Sequence, residues 1–357
     1  MSPTTTLRKW LQWPLAALCL WTVSLPVAAR ADAAPDNSTA CPPLAVNMQP
    51  VAPGVWLKPA QPGAASGWTE PTVVWADARQ VWVLDPGPHR CAGLALRQWL
   101  TRHVPGRSVQ IINSHAHPEN VLANSAWPRG TPIHALAGTR EQMSRRCPTC
   151  LKFMQQTLGR RWMRGTRVVL PNRELAPGQW LTLAGQHWQV DAHAPAHTEA
   201  DLSLWQPDTQ VWLAAGLVAW NGLPDTTRGR IQPWLQALAT RLPAQPADTA
   251  TASAHAAVIW GAPSSSARLP SSGNKETARQ ESDMPNGLSQ AHQTQRYLAA
   301  LDALIERSQA AGLSVLEVLA QPPGPAFQPW LTSPQAIERH QRNLMREWQL
   351  REDDSFN

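Results

Sequence analysis

Short apolar runs separated by turn residues fill the early part of the chain. Val55–Leu57, Thr72–Trp75 and Gln80–Leu84 are rich in valine, leucine and tryptophan, and Asp85-Pro86-Gly87-Pro88 ends the last of them. Runs of this length bounded by turn residues are typical of β-strands. The pattern therefore predicts an antiparallel meander between residues 55 and 84.

The hydrophobic period then changes from that of a strand to that of a helix. Residues 92–103 carry leucine and tryptophan at helical spacing, and the apolar run 109–112 predicts a buried strand. A short strand is predicted at 132–135 and a long helix over 139–158. Strands and helices therefore alternate in this part of the chain.

The strand pattern returns between residues 167 and 215. Its short runs are 180–183, 187–190, 202–205 and 211–214, followed by a predicted helix at 231–242 and a last strand at 256–260. No GxGxxG phosphate loop accompanies these elements, so two β-rich halves with interspersed helices argue against a dinucleotide-binding fold.

The ends of the chain depart from this pattern in composition. Residues 1–33 join a basic start to an uncharged apolar run and to Ala31-Asp32-Ala33, which is typical of a signal peptide. Residues 34–53 are rich in proline and alanine and predict an extended lead-in. Residues 264–290 predict a flexible low-complexity loop, and residues 291–357 a helical C-terminal extension that Pro322-Pro323-Gly324-Pro325 interrupts.

A cleaved signal peptide predicts a periplasmic protein with no stable membrane span. The apolar run 13–28 is shorter than the roughly 20 residues that a membrane span needs, although an uncleaved anchor is the alternative. The formal net charge of +6 is spread along the chain without a basic run. Nucleic-acid binding is therefore not expected.

The cysteines that follow the signal peptide are even in number: Cys41, Cys91, Cys147 and Cys150. Disulfides are expected in an oxidising compartment, but spacing alone leaves the overall pairing open. The CxxC pair Cys147-Pro148-Thr149-Cys150 predicts a local disulfide with no free thiol. A redox role is the less favoured alternative, because no thioredoxin-like βαβ pattern surrounds the pair.

Candidate metal chemistry begins where the strand 109–112 ends. His115 and His117 are two residues apart in a segment that leaves the strand. Residues so spaced in extended backbone point the same way, so both imidazoles could bind one cation.

Four segments in order resemble the landmarks of the metallo-β-lactamase-fold hydrolase superfamily. They are Asp85-Pro86-Gly87, His115-Ala116-His117-Pro118, Ala196-His197-Thr198-Glu199-Ala200-Asp201 and Leu213-Ala214-Ala215-Gly216-Leu217-Val218. The proline after the second motif, the third motif and the tail ending Arg342-Asn343-Leu344 most resemble the periplasmic quinoprotein relay system zinc metallohydrolases. The resemblance implies an α/β (α+β) fold, a four-layer αββα sandwich over residues 54–263 with the helical extension after it.

The same resemblance implies one metal site and not two. His115, His117 and His197 match the three histidines that hold the first zinc, and one zinc ion is therefore expected. Glu119, Asn120, Leu217 and Ala262 stand where the second-site ligands would be, so that site is degenerate. Alternatively, the three histidines are retained by ancestry in a pocket that holds no metal.

Glu119 is the candidate catalytic residue, since it keeps a carboxylate where the family places the aspartate that orients the attacking water. The alternative is a carboxylate that stabilises the start of the following helix. Asp85 and Asp201 are expected to orient the histidines or join the two halves of the domain. The remaining nearby histidines match no ligand position and are expected to be incidental: His89, His134, His187 and His193.

These observations predict an exported hydrolase that uses a single zinc-bound water on a small-molecule substrate. The resemblance also implies an accessory role in a periplasmic quinoprotein oxidation system, whose components would then be partners. The alternative is a catalytically lapsed family member that binds a ligand or partner in the periplasm.

Overall fold

The computed structural model describes residues 40–61, 63–219, 222–242, 259–260 and 287–355. The predicted signal peptide, Ala262 and almost all of the predicted loop 264–290 lie outside these residues. Within them, no helix has both the length and the apolar character that crossing a bilayer requires.

The first sheet has seven strands in sequential order. They are β1 (Gln49–Ala52), β2 (Val55–Lys58), β3 (Thr72–Ala76), β4 (Gln80–Leu84), β5 (Ser108–Ile112), β6 (Ile133–Ala135) and β7 (Arg173–Glu174). Strands β2 to β4 form the predicted antiparallel meander, and β4 to β7 are parallel. The lead-in predicted for residues 34–53 is more regular than expected, because its last four residues form β1 against β2.

The second sheet has five strands in the order β12-β11-β10-β9-β8. The strands are β8 (Trp180–Leu183), β9 (Gln186–His193), β10 (Asp201–Gln206), β11 (Val211–Leu213) and β12 (Ile259–Trp260). Adjacent strands are antiparallel except for the parallel pair β11–β12.

Alternation along β3 and β4 fixes how the layers stack. Val73 and Trp75 pack in the core between the two sheets, whereas Val74 packs on the opposite face against α1 (Arg90–His103). On β4, Trp82 and Leu84 likewise face the second sheet. Because side chains alternate across a strand, a strand buried on both faces has no polar side.

Helices cover the outer faces of both sheets. Beside α1 these are α2 (Pro118–Val121), α3 (Ala137–Trp162), α4 (Ile231–Ala239), α5 (Gly287–Ala310), α6 (Val315–Leu319) and α7 (Pro334–Ser355). Trp212 of β11 packs with Trp234 of α4 and Leu301 of α5 in the core outside the second sheet. The predicted αββα sandwich and its helical C-terminal region are thereby confirmed.

The cysteines pair differently from the prediction for the CxxC motif. Cys41 and Cys91 form a disulfide that ties the segment before β1 to the start of α1. Cys147 and Cys150 are instead buried free thiols. The predicted local disulfide is therefore wrong for this structure, in which both residues lie inside α3 and their thiols are joined by a hydrogen bond.

Candidate metal centre

The three predicted metal-binding histidines converge from two loops. His115 and His117 lie in the turn between β5 and α2, and His197 lies in the loop between β9 and β10. The nitrogen atoms available for ligation all lie within 4.8 Å of one another. Among the described residues, this is the one cluster of three or more histidine, cysteine or acidic side chains close enough to share a metal ion.

The donor set is chemically suited to a metal ion such as zinc. Burial, with further repulsion from His117, holds the pKa of His115 and of His197 well below the ordinary value, so both rings are neutral and keep a free lone pair. His117 Nδ1 lies 3.3 Å from His197 Nε2. Two nitrogens that share a tetrahedral zinc at about 2.0–2.1 Å are separated by about 3.3–3.4 Å. The pKa of His117 is also lowered, chiefly by burial, so the structure places two neutral imidazoles at a spacing that a shared metal ion would allow.

Asp85 and Ser114 orient the first histidine. The Ser114 hydroxyl lies 2.8 Å from His115 Nδ1 and donates to Asp85 Oδ2 at 2.5 Å. The Ser114 amide donates to Asp85 Oδ1 at 2.9 Å. Burial raises the pKa of Asp85 to about 7, against the opposing effect of the two Ser114 hydrogen bonds. Such a chain fixes the orientation of the ring, and a metal at Nε2 would take the place of the Asn120 amide that lies 3.2 Å from that nitrogen.

Asp201 shapes the loop that carries the third histidine. Its carboxylate accepts hydrogen bonds from the Thr198 amide at 2.7 Å and the Thr198 hydroxyl at 3.0 Å. The Leu202 amide then donates to the Ser114 carbonyl at 2.8 Å, which joins the two histidine loops. The positions of Asp85 and Asp201 agree with the supporting roles that the sequence predicts for them.

Gly216 allows the backbone to approach two of the histidine rings. A β-carbon at this position would lie 2.6 Å from His197 Cδ2 and 2.9 Å from His115 Cε1. Real β-carbons essentially never approach other atoms this closely, so a larger residue would have to move the rings. Gly216 lies within the fourth motif of the sequence, but the motif alone does not reveal this steric role.

The positions that the sequence resemblance assigns to a second metal are occupied by other side chains. Asn120 is buried, its Nδ2 lies 3.2 Å from His115 Nε2, and its Oδ1 has no hydrogen-bond partner among the described residues. Leu217 is fully buried in the core with Trp212 and Trp234, and it is not among the residues that line the cavity above the histidines. Leu217 is therefore part of the hydrophobic core.

An open cavity of about 770 Å³ lies over the three histidines. Glu119 lines it from the first turn of α2 and is half-buried. Glu70, which the sequence reasoning missed, lines the same cavity. Burial and then the charge of Glu119 raise the pKa of Glu70 to about 7, with Lys58 opposing them. Glu70 lies in an irregular loop between β2 and β3 and outside every motif, so no sequence signal marked it.

The loop 223–229 forms another side of the cavity, and the C-terminal extension stabilises this loop. Asp225 and Arg228 belong to this loop and line the cavity, as does Arg339 of α7. Asn343 of α7 accepts a hydrogen bond from the Thr226 amide at 3.1 Å and donates to the Pro224 carbonyl at 2.7 Å. The extension is therefore part of the wall of the site.

The same loop packs directly against the backbone of His197. The Arg230 amide donates to the Ala196 carbonyl at 2.9 Å. A β-carbon on Gly229 would lie 2.1 Å from the Ala196 oxygen and 2.7 Å from the His197 oxygen. Asn343 thus stabilises a loop whose other end supports the third histidine.

The other histidines have structural contacts of their own. His89 caps α1 by accepting a hydrogen bond from the Ala92 amide at 2.9 Å, and its Nε2 lies 2.7 Å from the Ser66 carbonyl oxygen. His134 contacts Gln110, His193 contacts Ser203, and His187 is exposed. None of them lines the cavity, which agrees with the prediction that they are incidental.

Comparisons with known proteins identify the fold. No protein-family model matches the sequence, and the search of curated proteins finds no significant match. A beta-lactamase domain protein from Burkholderia ambifaria superimposes with a TM-score of 0.53 at 15% identity, over 88% of this chain and 90% of its own. A metallo-beta-lactamase from Pontibacter korlensis gives a TM-score of 0.48 at 15% identity, over 71% of this chain and 98% of its own.

The chain has the metallo-β-lactamase fold, as the superposition on the Burkholderia ambifaria protein and the two-sheet architecture show. At this level of identity a likeness establishes the fold alone. The narrower resemblance to the quinoprotein relay system metallohydrolases gains no support from the structural neighbours.

Proposed function

We propose that this protein is a metal-dependent hydrolase that binds one zinc ion through His115, His117 and His197. The observation that carries the proposal is the convergence of three imidazoles with lowered pKa values, two of them buried and one half-buried, in the lining of an open cavity. Three neutral nitrogen donors are a ligand set typical of catalytic zinc, because a coordination position remains for water or substrate.

A bound zinc ion would supply Lewis acidity and would make a water molecule acidic enough to ionise near neutral pH. Glu119 is the base in this proposal, since its carboxylate lines the cavity beside the histidines and can accept a proton from a water there. Asp85 and Ser114 hold the His115 ring, and Gly216 gives the rings room. The cavity volume is in the range of small-molecule sites, which run to roughly 1,000 Å³.

Export to the periplasm and an accessory role in quinoprotein oxidation belong to the proposal as well. They rest on the predicted signal peptide and on the sequence resemblance. The Cys41–Cys91 disulfide supports an oxidising compartment, because structural disulfides persist mainly outside the reducing cytosol.

Metal stoichiometry tests the proposal most directly. The purified protein should bind close to one equivalent of zinc, and His117→Ala should abolish tight binding. His187→Ala is the matched control, since His187 is exposed and lies outside the cavity, and it should bind zinc like the wild type. A stoichiometry near two, or zinc retained by His117→Ala, would contradict the proposal.

A catalytically lapsed binding protein is the second candidate function. The burial of Leu217 in the core and the amide of Asn120 beside His115 favour it, because both changes remove ligands around the metal position. One series of assays on the zinc-loaded protein distinguishes the two functions. A binding protein would bind a small molecule in the cavity but would hydrolyse no ester, lactam or thioester.

A further inference from the structure

The two free thiols of α3 occupy different environments beside the metal centre. Cys150 lines the cavity together with His117 and Glu119 and remains 8% exposed. Cys147 is fully buried against Ala116 and Val121, which flank His117. One sulfur is therefore accessible from the cavity, and the other lies behind it.

The geometry of the pair permits a bond between the sulfurs. Residues three apart on a helix lie on the same side, and regular helix geometry separates their Cα atoms by about 5 Å. Disulfides form at Cα separations of about 4.4–6.8 Å. Pro148 lies between the cysteines and has no backbone N–H, so the helix lacks one of its own hydrogen bonds here. The Cys147 thiol already donates a hydrogen bond to the Cys150 sulfur.

We propose that Cys150 and Cys147 form a thiol–disulfide exchange centre that opens into the cavity of the metal site, with a small aliphatic disulfide as its reaction partner. Cys150 is the attacking thiol because it alone of the two lines the cavity. Cys147 is the resolving thiol because it contacts the Cys150 sulfur from the buried side. The metal ion has no part in this reaction, so the inference goes beyond the proposed hydrolase.

The exchange proceeds in two balanced steps. The Cys150 thiolate attacks one sulfur of the small disulfide, a new S–S bond forms, and the first half of the reagent leaves as a thiolate that takes up a proton. Cys147 then loses its proton and attacks the Cys150 sulfur, and the second half leaves as a thiol. The protein dithiol is oxidised by two electrons, and one small disulfide is reduced to two thiols.

The charges around the pair agree with this order of attack. The hydrogen bond from Cys147 lowers the pKa of Cys150 to about 6; burial and Glu119 oppose the shift, and Arg228 reinforces it. The same hydrogen bond, and burial, raise the pKa of Cys147. The thiolate is the nucleophile in exchange reactions, so the cavity-lining sulfur is also the more reactive one.

The test treats the metal-free purified protein with 2-hydroxyethyl disulfide and follows each cysteine by mass spectrometry of the intact chain and its peptides. The wild type should end with a Cys147–Cys150 disulfide and no adduct. Cys147→Ser should keep one half of the reagent on Cys150, whereas Cys150→Ser should not react. Gln155→Ala, an exposed position on α3 outside the cavity, should oxidise like the wild type.

Two outcomes would overturn the proposal. The first is an adduct on Cys147 in Cys150→Ser that forms as fast as the Cys150 adduct in Cys147→Ser. The second is a folded wild type that stays reduced while the same sample in urea reacts at both thiols. The formation of the disulfide in the wild type is measured independently of the variants. The test therefore remains possible even if a variant does not fold. Zinc stoichiometry is measured separately, so failure here leaves the proposed hydrolase standing.

Discussion

The first and second metal positions of this fold differ sharply in what surrounds them. Asp85 and Ser114 orient the His115 ring at the first position, and Asp201 and Thr198 shape the loop that carries His197. At the second position, Asn120 has an unpaired carbonyl and Leu217 packs into the core. A site that had simply decayed would lose its supports along with its ligands. Here only one of two adjacent positions has lost them, which argues for continued use of the other.

Leu217→Asp should have the largest effect, and it tests whether the second position can be recovered. The leucine is fully buried beside Trp212 and Trp234 and lies away from the cavity, so an aspartate would have no partner there. An uncompensated buried charge costs about 3–5 kcal/mol of stability. Thermal and urea unfolding measure this loss. Leu217→Met, which keeps size and polarity, should cost less than about 1.5 kcal/mol.

The contrast between a retained first position and a lost second position would be wrong if excess zinc restored the stability of Leu217→Asp and raised its zinc stoichiometry to two. That result would mean that the aspartate reaches the cavity and that a single substitution is enough for the second position to bind metal.

Glu119→Gln tests whether the first metal position still has a general base beside it. If Glu119 deprotonates water, turnover should fall by roughly 10²–10⁴, the usual range for loss of a general base. Zinc content should be unchanged, because the glutamate is not one of the three proposed ligands. Glu119→Asp restores the shorter side chain of the wider family and should keep or raise turnover.

Equal turnover in wild type and Glu119→Gln would remove the glutamate from the mechanism. Its role would then be confined to the first turn of α2, where a negative charge is favourable. A matched Glu70→Gln variant shows whether the neighbouring carboxylate has taken over the task.

Ser114→Ala tests the supporting contacts of the first position. The hydroxyl is buried between Asp85 and His115, so the alanine leaves the His115 ring without its orienting partner. Loss of such a contact typically lowers metal affinity by about 10–100-fold. Competition against a zinc chelator measures the change. Affinity equal to the wild type would show that backbone packing alone orients His115.

Asn343→Ala should have the smallest effect, because it acts on His197 through the loop 223–229. The variant loses two hydrogen bonds to that loop and one to Tyr297, all of them buried. We expect zinc affinity to fall less than in Ser114→Ala, with a changed visible spectrum of the cobalt-substituted protein. Tyr297→Phe removes the contact to Asn343 and another to His340 but leaves both loop hydrogen bonds of Asn343 in place, so it separates this effect from general loss of stability. An unchanged spectrum in both variants would show that the loop holds its position without the extension.

Sequence alone predicted the layers of the fold well because periodicity is a local property. The alternation in 72–84 and the helical spacing in 92–103 identified β3, β4 and α1 with only small errors at the ends. The three histidines were found because their motifs are contiguous. Glu70, Arg228 and Arg339 were missed, since each reaches the cavity from a segment with no motif. The Cys147–Cys150 prediction was wrong because spacing shows that two cysteines can bond and does not show whether they have done so.

The hydrogen bonds of Asn343 also set an order of events during folding. The Thr226 amide is separated from its partner by 117 residues of sequence, and the Pro224 carbonyl by 119. Contacts between segments this far apart form late, because closing so long a loop costs chain entropy before any contact is gained. The two histidines of the β5–α2 turn are therefore in place before the loop behind His197 is anchored. Under the proposed function, tight metal binding is then one of the last steps of folding.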